Sequence, residues 1–101
     1  MRLRYTPSFF ESLDWFIDYY ARVFPEGREN GKRAYAQAIQ ALKSGQALPR
    51  AYDTSRDLYE LPLTNTPFSF LLRIHKGKAD LLHLRDRRGY VTDRWLQSQI
   101  H

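Results

Sequence analysis

Residues 58–88 read LYELPLTNTPFSFLLRIHKGKADLLHLRDRR, and this stretch decides how the C-terminal half of the chain folds. Every second residue from Phe68 to Ile74 is a large apolar one, which is the period that a β-strand imposes on its side chains. A second apolar run precedes a cluster of arginines at the end of the stretch. The pattern predicts two or three short antiparallel strands that present these arginines at one end of a small sheet, where they are placed to engage an acidic partner.

The predicted turn between the last two strands lies at Lys76-Gly77, because glycine accepts the positive φ that a tight turn requires. This turn sets a register with three facing pairs: Arg73 with Asp80, Leu72 with Leu81, and Leu71 with Leu82. An opposite-charge pair directly across a hairpin stabilises such a register. His83 then faces Phe70, and we interpret it as a partly buried histidine rather than a catalytic base or a metal ligand.

Composition indicates a single folded domain over residues 1–101. Of the 101 residues 43% are hydrophobic and 15% aromatic, enough for a modest core, and the formal net charge is +5. Because cysteine is absent and the three histidines are scattered, we predict no disulfide, no metal site and no cofactor. No segment has the pattern of a signal peptide or a membrane span, so we expect a soluble, cytoplasmic protein.

The N-terminal half is predicted to form a short strand and two helices. Ser8 and Glu11 fit a capping box at the start of the first helix, and its buried stripe comprises Phe9, Leu13, Phe16, Ile17, Tyr20 and Phe24. The second helix is predicted from about Asn30 to Ser44, with Gly45 as its C-terminal cap. Its buried stripe comprises Ala34, Tyr35, Ala38, Ile39 and Leu42. Residues 46–56 are predicted to be a connecting loop, and residues 89–101 a tail with a short docked helix.

The predicted order of elements, strand–helix–helix–strand–strand–strand, resembles that of the RelE/ParE superfamily of bacterial toxins. Three segments carry the resemblance: Arg56–Leu61, Phe68–Ile74 and Asp80–Arg88. The resemblance implies an α+β fold, with a helical hairpin packed on one face of a small, mainly antiparallel twisted sheet. It also implies a toxin of a type II toxin–antitoxin system, which a cognate antitoxin holds inactive in a hetero-oligomer.

The superfamily has two functional branches, and the residues of this chain favour one of them. RelE-like members cut messenger RNA on the ribosome, using basic groups around the scissile phosphate. The resemblance places Glu60, Pro62 and Ser69 where that branch has two lysines and an arginine. Arg88 and Trp95 fall at its C-terminal arginine and tyrosine. Because the two lysines and the strand arginine are absent, we assign no catalytic residue and expect a ParE-like protein, which poisons DNA gyrase by binding and serves in plasmid stabilisation.

Two candidate surfaces follow from this interpretation. We assign target binding to Arg85, Arg87 and Arg88, which we expect to be exposed at the end of the last strand. Antitoxin binding is assigned to three residues on the sheet face that the helices leave uncovered: Leu71, Leu82 and Leu84. Two alternatives stay open: a RelE-like ribosome-dependent nuclease, and a non-toxic basic module whose arginines contact nucleic-acid phosphates.

Overall fold

The structure, a computed structural model, describes residues 1–88, and the predicted tail helix lies outside the described residues. The regular elements are β1 (Arg2–Tyr5), α1 (Pro7–Asp18), α2 (Arg28–Ser44), β2 (Arg50–Asp53), β3 (Leu58–Pro62), β4 (Phe68–His75) and β5 (Lys78–Asp86). A π-helical turn at Tyr19–Val23 and a 3₁₀ turn at Pro25–Gly27 connect the two helices. No helix within residues 1–88 is long and apolar enough to cross a membrane.

The strands form one sheet in the order β1-β5-β4-β3-β2. β1 lies parallel to β5, and all other neighbours are antiparallel. The predicted loop over residues 46–56 is wrong in part, because β2 forms within it and raises the strand number by one. β2 is a four-residue edge strand without an apolar stripe. Its pairing with β3 stabilises it, and such pairing leaves no local signal in the sequence.

The β4–β5 hairpin has the predicted turn but only part of the predicted register. Lys76 and Gly77 both have positive φ, 50° and 77°, as a tight two-residue turn requires. Arg73 faces Asp80 and Leu72 faces Leu81, as predicted. Beyond these pairs a β-bulge shifts the ladder, so that Leu71 faces His83 rather than Leu82, and Phe70 faces Leu84 rather than His83.

The bulge at Leu82 decides which residues of β5 point toward the helices. A one-residue slip exchanges the two faces of a strand, and here it turns Leu84 into the core beneath the helices. The start of the first helix is anchored at the same place. Thr6 Oγ1 donates a hydrogen bond to the Leu81 carbonyl, and Ser8 Oγ donates one to the Leu82 carbonyl, both at 2.8 Å.

The predicted capping box at Ser8 and Glu11 is wrong. The N-cap is Thr6, whose Oγ1 accepts a hydrogen bond from Phe9 N at 3.3 Å, and Pro7 occupies the first helical position. Proline suits that position because its ring presets the helical φ and no N–H is needed there. The Ser8 hydroxyl binds the bulged strand instead of capping the helix.

The core lies between the helices and one face of the sheet. The sheet side of the core contains the predicted residues Phe68, Phe70, Leu72 and Leu81, with Ile74 at its margin. On the helix side the prediction fails for Ile17 and Phe24, which are exposed. The π-helical turn brings Tyr19 into the core in their place, where its ring lies 5.4 Å from that of Phe68.

The second helix packs closely through small residues. Ala34, Ala38 and Leu42 are buried as predicted, and Gly45 ends the helix with φ 76°. Gly31 is required by the close approach of the second helix to the π-helical turn, because a Cβ there would lie 2.8 Å from the Tyr20 ring.

We expect Ser12→Ala to lower the free energy of unfolding by about 1–3 kcal/mol. Ser12 is buried; its hydroxyl donates to the Phe9 carbonyl at 2.6 Å and accepts from Leu84 N at 2.8 Å. Alanine would leave that strand N–H buried without an acceptor. Urea denaturation measures the change. The matched control is Ser44→Ala, where the hydroxyl is exposed and a change below about 0.5 kcal/mol is expected; equal losses would contradict the argument.

Candidate functional site

The three arginines assigned to target binding point in three different directions. Arg87 and Arg88 are exposed, as predicted. Arg85 is not, since only 17% of its side chain is accessible. It extends over the sheet face away from the helices, where its guanidinium lies 5.4 Å from the centre of the Tyr52 ring. A single arginine patch at the strand end therefore does not form.

Glu60 is the centre of a polar network on that face of the sheet. Its Oε1 accepts hydrogen bonds from Arg50 Nε at 3.0 Å and Nη2 at 2.7 Å. Its Oε2 accepts from Ser69 Oγ and from Arg85 Nη1, both at 2.7 Å. Only 4% of Glu60 is exposed. Side chains of β2, β4 and β5 thus converge on one buried carboxylate from β3.

The protonation of Glu60 follows from this network. Burial by itself would raise the pKa of Glu60, but the hydrogen bonds from Ser69, Arg50 and Arg85 outweigh it and hold the pKa below the ordinary value. The carboxylate is therefore ionised and fully engaged near neutral pH. A general base needs an accessible lone pair and a pKa near the working pH, and Glu60 has neither.

A second buried carboxylate, Asp86, joins the end of β5 to the first helix. Its Oδ2 accepts hydrogen bonds from Trp15 Nε1 at 3.0 Å and from Arg88 Nη2 at 2.7 Å. Its Oδ1 accepts from the backbone N of Arg88 at 3.0 Å and from Arg88 Nε at 2.8 Å. The Arg88 guanidinium also lies 4.7 Å above the Tyr19 ring. Burial would raise the pKa of Asp86, but the bonds from Arg88 and Trp15 lower it.

Arg87 is anchored by backbone groups. Its N–H donates to the Pro67 carbonyl at 2.7 Å, and its guanidinium donates to the Thr66 carbonyl. The position is exposed. Of the three predicted target-binding residues, Arg87 alone is both exposed and outside the two carboxylate networks.

The sequence interpretation missed both carboxylate partners. No buried position and no arginine partner was predicted for either Glu60 or Asp86. The contact between Trp15 and Asp86 had a signal in the sequence, because a buried indole N–H needs a hydrogen-bond acceptor. The Arg50 contact had no signal, because it depends on β2.

The three predicted antitoxin-binding residues, Leu71, Leu82 and Leu84, are all buried. Leu71 lies opposite His83, Leu82 lies in the bulge, and Leu84 belongs to the core beneath the helices. The bulge is the reason that Leu84 is not on the face predicted for it. His83 is buried as predicted, and burial lowers its pKa to about 4.

An exposed apolar surface lies along the two helices. Ile17 is 60% exposed and lines two adjoining depressions, of about 290 and 350 Å³, that also share Phe16 and Lys32. Leu13 and Tyr35 line one of them, and Arg28 lines the other. We call this surface the helix groove. It combines an apolar floor with two cationic side chains at its margin.

A separate cationic depression lies at the β1–β5 edge. It has a volume of about 220 Å³ and is lined by Arg2, Leu3, Arg4, Lys78 and Asp80. Arg4 is paired with Asp80 at 3.1 Å. Within residues 1–88, the other two lining cations, Arg2 and Lys78, have no carboxylate partner. In the part of the chain that the structure describes, no group of His, Asp or Glu residues is arranged to hold a metal ion.

A solved structure described as "Chromosomal ParDE TA system from P. aeruginosa" contains a chain that matches this one with a TM-score of 0.63. The match covers 85% of this chain and 95% of that chain, at 20% sequence identity. No protein-family model matches the sequence, and no curated protein does. The chain therefore has the predicted α+β fold of the RelE/ParE type, with a helical hairpin on a mainly antiparallel sheet.

Proposed function

We propose that this chain is the toxin of a type II toxin–antitoxin pair, which binds DNA gyrase and is neutralised by a cognate antitoxin. The observation that carries the proposal is its likeness, over 85% of its length, to a chain from a ParDE TA system. The features of the sheet support action by binding. By the resemblance, Glu60 and Ser69 take the places of basic groups of the nuclease branch, and both are engaged in a buried hydrogen-bond network.

The test is inducible expression in a bacterial host, followed by assays of the purified protein. We expect growth arrest, inhibition of gyrase supercoiling, and no cleavage of messenger RNA on translating ribosomes. Codon-periodic cuts in a primer-extension assay would establish the nuclease alternative. Normal growth together with unaffected gyrase would overturn the proposal.

Target binding is proposed for Arg87 and Arg88, which are exposed, and no longer for Arg85, of whose side chain only 17% is accessible. We expect Arg87→Ala to weaken gyrase binding by about one to two decades, which corresponds to the loss of a charge-assisted hydrogen bond of roughly 1.5–3 kcal/mol. Arg33→Ala is the matched control, because Arg33 is an exposed arginine of the second helix. Equal affinities of the two variants and the wild type, measured by calorimetry, would remove Arg87 from the target surface.

The antitoxin is proposed to bind the helix groove rather than the buried leucines predicted from the sequence. The groove offers exposed Ile17 between Arg28 and Lys32. An amphipathic helix with acidic flanking residues complements both features, since such helices bind grooves by one apolar face. Apolar side chains of the antitoxin would lie on Ile17, and its carboxylates beside the two cations.

We expect Ile17→Glu to weaken antitoxin binding by about 2 kcal/mol or more, roughly 30-fold, because it places a charge at the centre of an apolar contact. Folding should be retained, since the side chain is already exposed. Leu48→Glu is the control, because Leu48 is 90% exposed and does not line the groove. The groove assignment fails if both variants bind the co-expressed antitoxin as the wild type does.

One observation favours a second candidate function, a basic module that binds nucleic acid. Arg2, Arg4 and Lys78 share the depression at the β1–β5 edge, and clustered cations bind phosphates by releasing counterions. Such binding to plain duplex DNA would weaken steeply with salt and would depend on Arg2 and Lys78. Salt-sensitive binding without growth arrest would favour this module over the toxin.

A further inference from the structure

We propose that Arg50, Ser69 and Arg85 form an oxyanion-binding site on the sheet face away from the helices, and that the Glu60 side chain is its built-in ligand. With Glu60 in place the site is closed to other anions. When that side chain is removed, the site binds an external phosphate or carboxylate. The inference is independent of the proposed toxin function, because it concerns only the binding of an anion by three side chains on this face of the sheet.

The geometry of the donors carries the first step. Four donor groups approach the two carboxylate oxygens within 2.7–3.0 Å. The donors come from β2, β4 and β5, whereas Glu60 comes from β3. The backbone positions of the three donor residues are set by the sheet, whose ladder hydrogen bonds do not involve the Glu60 side chain. Deleting that side chain therefore removes the anion and leaves the three donor residues on the same face of the sheet.

Arg85 is held in place by more than Glu60. Only 17% of its side chain is accessible, and its guanidinium lies 5.4 Å from the centre of the Tyr52 ring. Its Nη1 donates to Glu60 Oε2 at 2.7 Å. An external oxyanion in the same position would accept from the same N–H, since a guanidinium binds phosphate and carboxylate oxygens by charge-assisted hydrogen bonds.

The electrostatics supply the driving force. Without Glu60, the charge of Arg85 would be largely buried and would lose its counter-ion, a state that is strongly unfavourable in proteins. An anion that enters the site removes this cost. Access is available at Arg50, whose side chain is 61% exposed. In the wild type an external anion has to compete with a tethered carboxylate, whose effective concentration is on the order of millimolar or more.

The test compares Glu60→Ala with the wild type in inorganic phosphate, acetate and chloride at constant ionic strength. We expect saturating phosphate to raise the Tm of the variant by roughly 5–10 °C relative to chloride, and the wild type not to respond. Acetate is the second probe, and it shows which oxyanion the donors prefer. A larger rise with phosphate indicates a preference for a phosphate, and a larger rise with acetate indicates a preference for a carboxylate like that of Glu60.

Two control variants separate a specific site from general salt effects. Glu60→Gln keeps the volume filled and should not respond to phosphate. The double variant Arg50→Ala/Glu60→Ala should lose most of the response. If Glu60→Ala is unfolded in chloride, circular dichroism during a phosphate titration gives the same readout, and Glu60→Ser provides a second background. Equal behaviour in phosphate and chloride for both backgrounds, or an equal response of the double variant, would overturn the proposal.

Discussion

Asp86→Ala is expected to lower the free energy of unfolding by about 3 kcal/mol, because it removes a buried acceptor whose hydrogen bonds to buried or charged donors contribute about 1.5–3 kcal/mol each. Asp86 is 1% exposed and receives hydrogen bonds from Trp15 and from three donors of Arg88. Its removal leaves the indole N–H without its acceptor and the guanidinium without its counter-ion. A domain of this size has a total stability of about 5–15 kcal/mol, so this single change removes a large part of it.

Urea denaturation followed by Trp15 fluorescence would measure the effect. Asp80→Ala is the matched control, because Asp80 also pairs with an arginine but its partner Arg4 is 71% exposed. Exposed pairs contribute about 0–1 kcal/mol, so the control should be nearly neutral. If the two variants lose similar stability, Asp86 does not anchor the first helix to the end of β5. The same reasoning shows that Arg88→Ala tests folding together with target binding, whereas Arg87→Ala avoids that ambiguity.

Between about pH 6.5 and pH 4 we expect the protein to lose roughly 3 kcal/mol of stability through His83. Burial lowers the pKa of His83 in the folded state from 6.5 to about 4. In that pH range the unfolded chain binds a proton that the folded chain excludes. The contribution of His83 to the free energy of unfolding is therefore complete above its pKa in the unfolded chain. It decreases as the pH falls through 6.5 and is lost near the pKa of His83 in the folded protein.

The variant His83→Gln should remove this dependence, although it changes the packing of a buried position. The informative quantity is therefore the slope of unfolding free energy against pH between 6.5 and 4.5, and not the stability at one pH. Glu60 and Asp86 have lowered pKa values, so their contributions are lost only below about pH 5. An unchanged slope between pH 6.5 and 5 in the variant would show that His83 is not the titrating group.

The β4–β5 hairpin shows which features the sequence pattern could predict and which it could not. The turn at Lys76-Gly77 and the pair Arg73–Asp80 were predictable, because both depend on residues close in the chain. The bulge at Leu82 was not predictable from alternation. Its carbonyl and that of Leu81 are bound by Ser8 and Thr6, which lie more than seventy positions earlier in the sequence. One inserted residue was enough to move Leu84 from the predicted antitoxin face into the core.

The sequence by itself determined the α+β class, the helical hairpin, the helix cap at Gly45 and the core face of β4. These features depend on the spacing of apolar residues and on the backbone freedom of single residues such as glycine. Both can be read from the local sequence. Tertiary structure alone decided the edge strand β2, the bulge, and the partners of Glu60 and Asp86. Each of these depends on groups that meet across the sheet or between layers. A carboxylate in the sequence does not reveal which arginine will reach it, because burial and pairing are properties of the assembled fold.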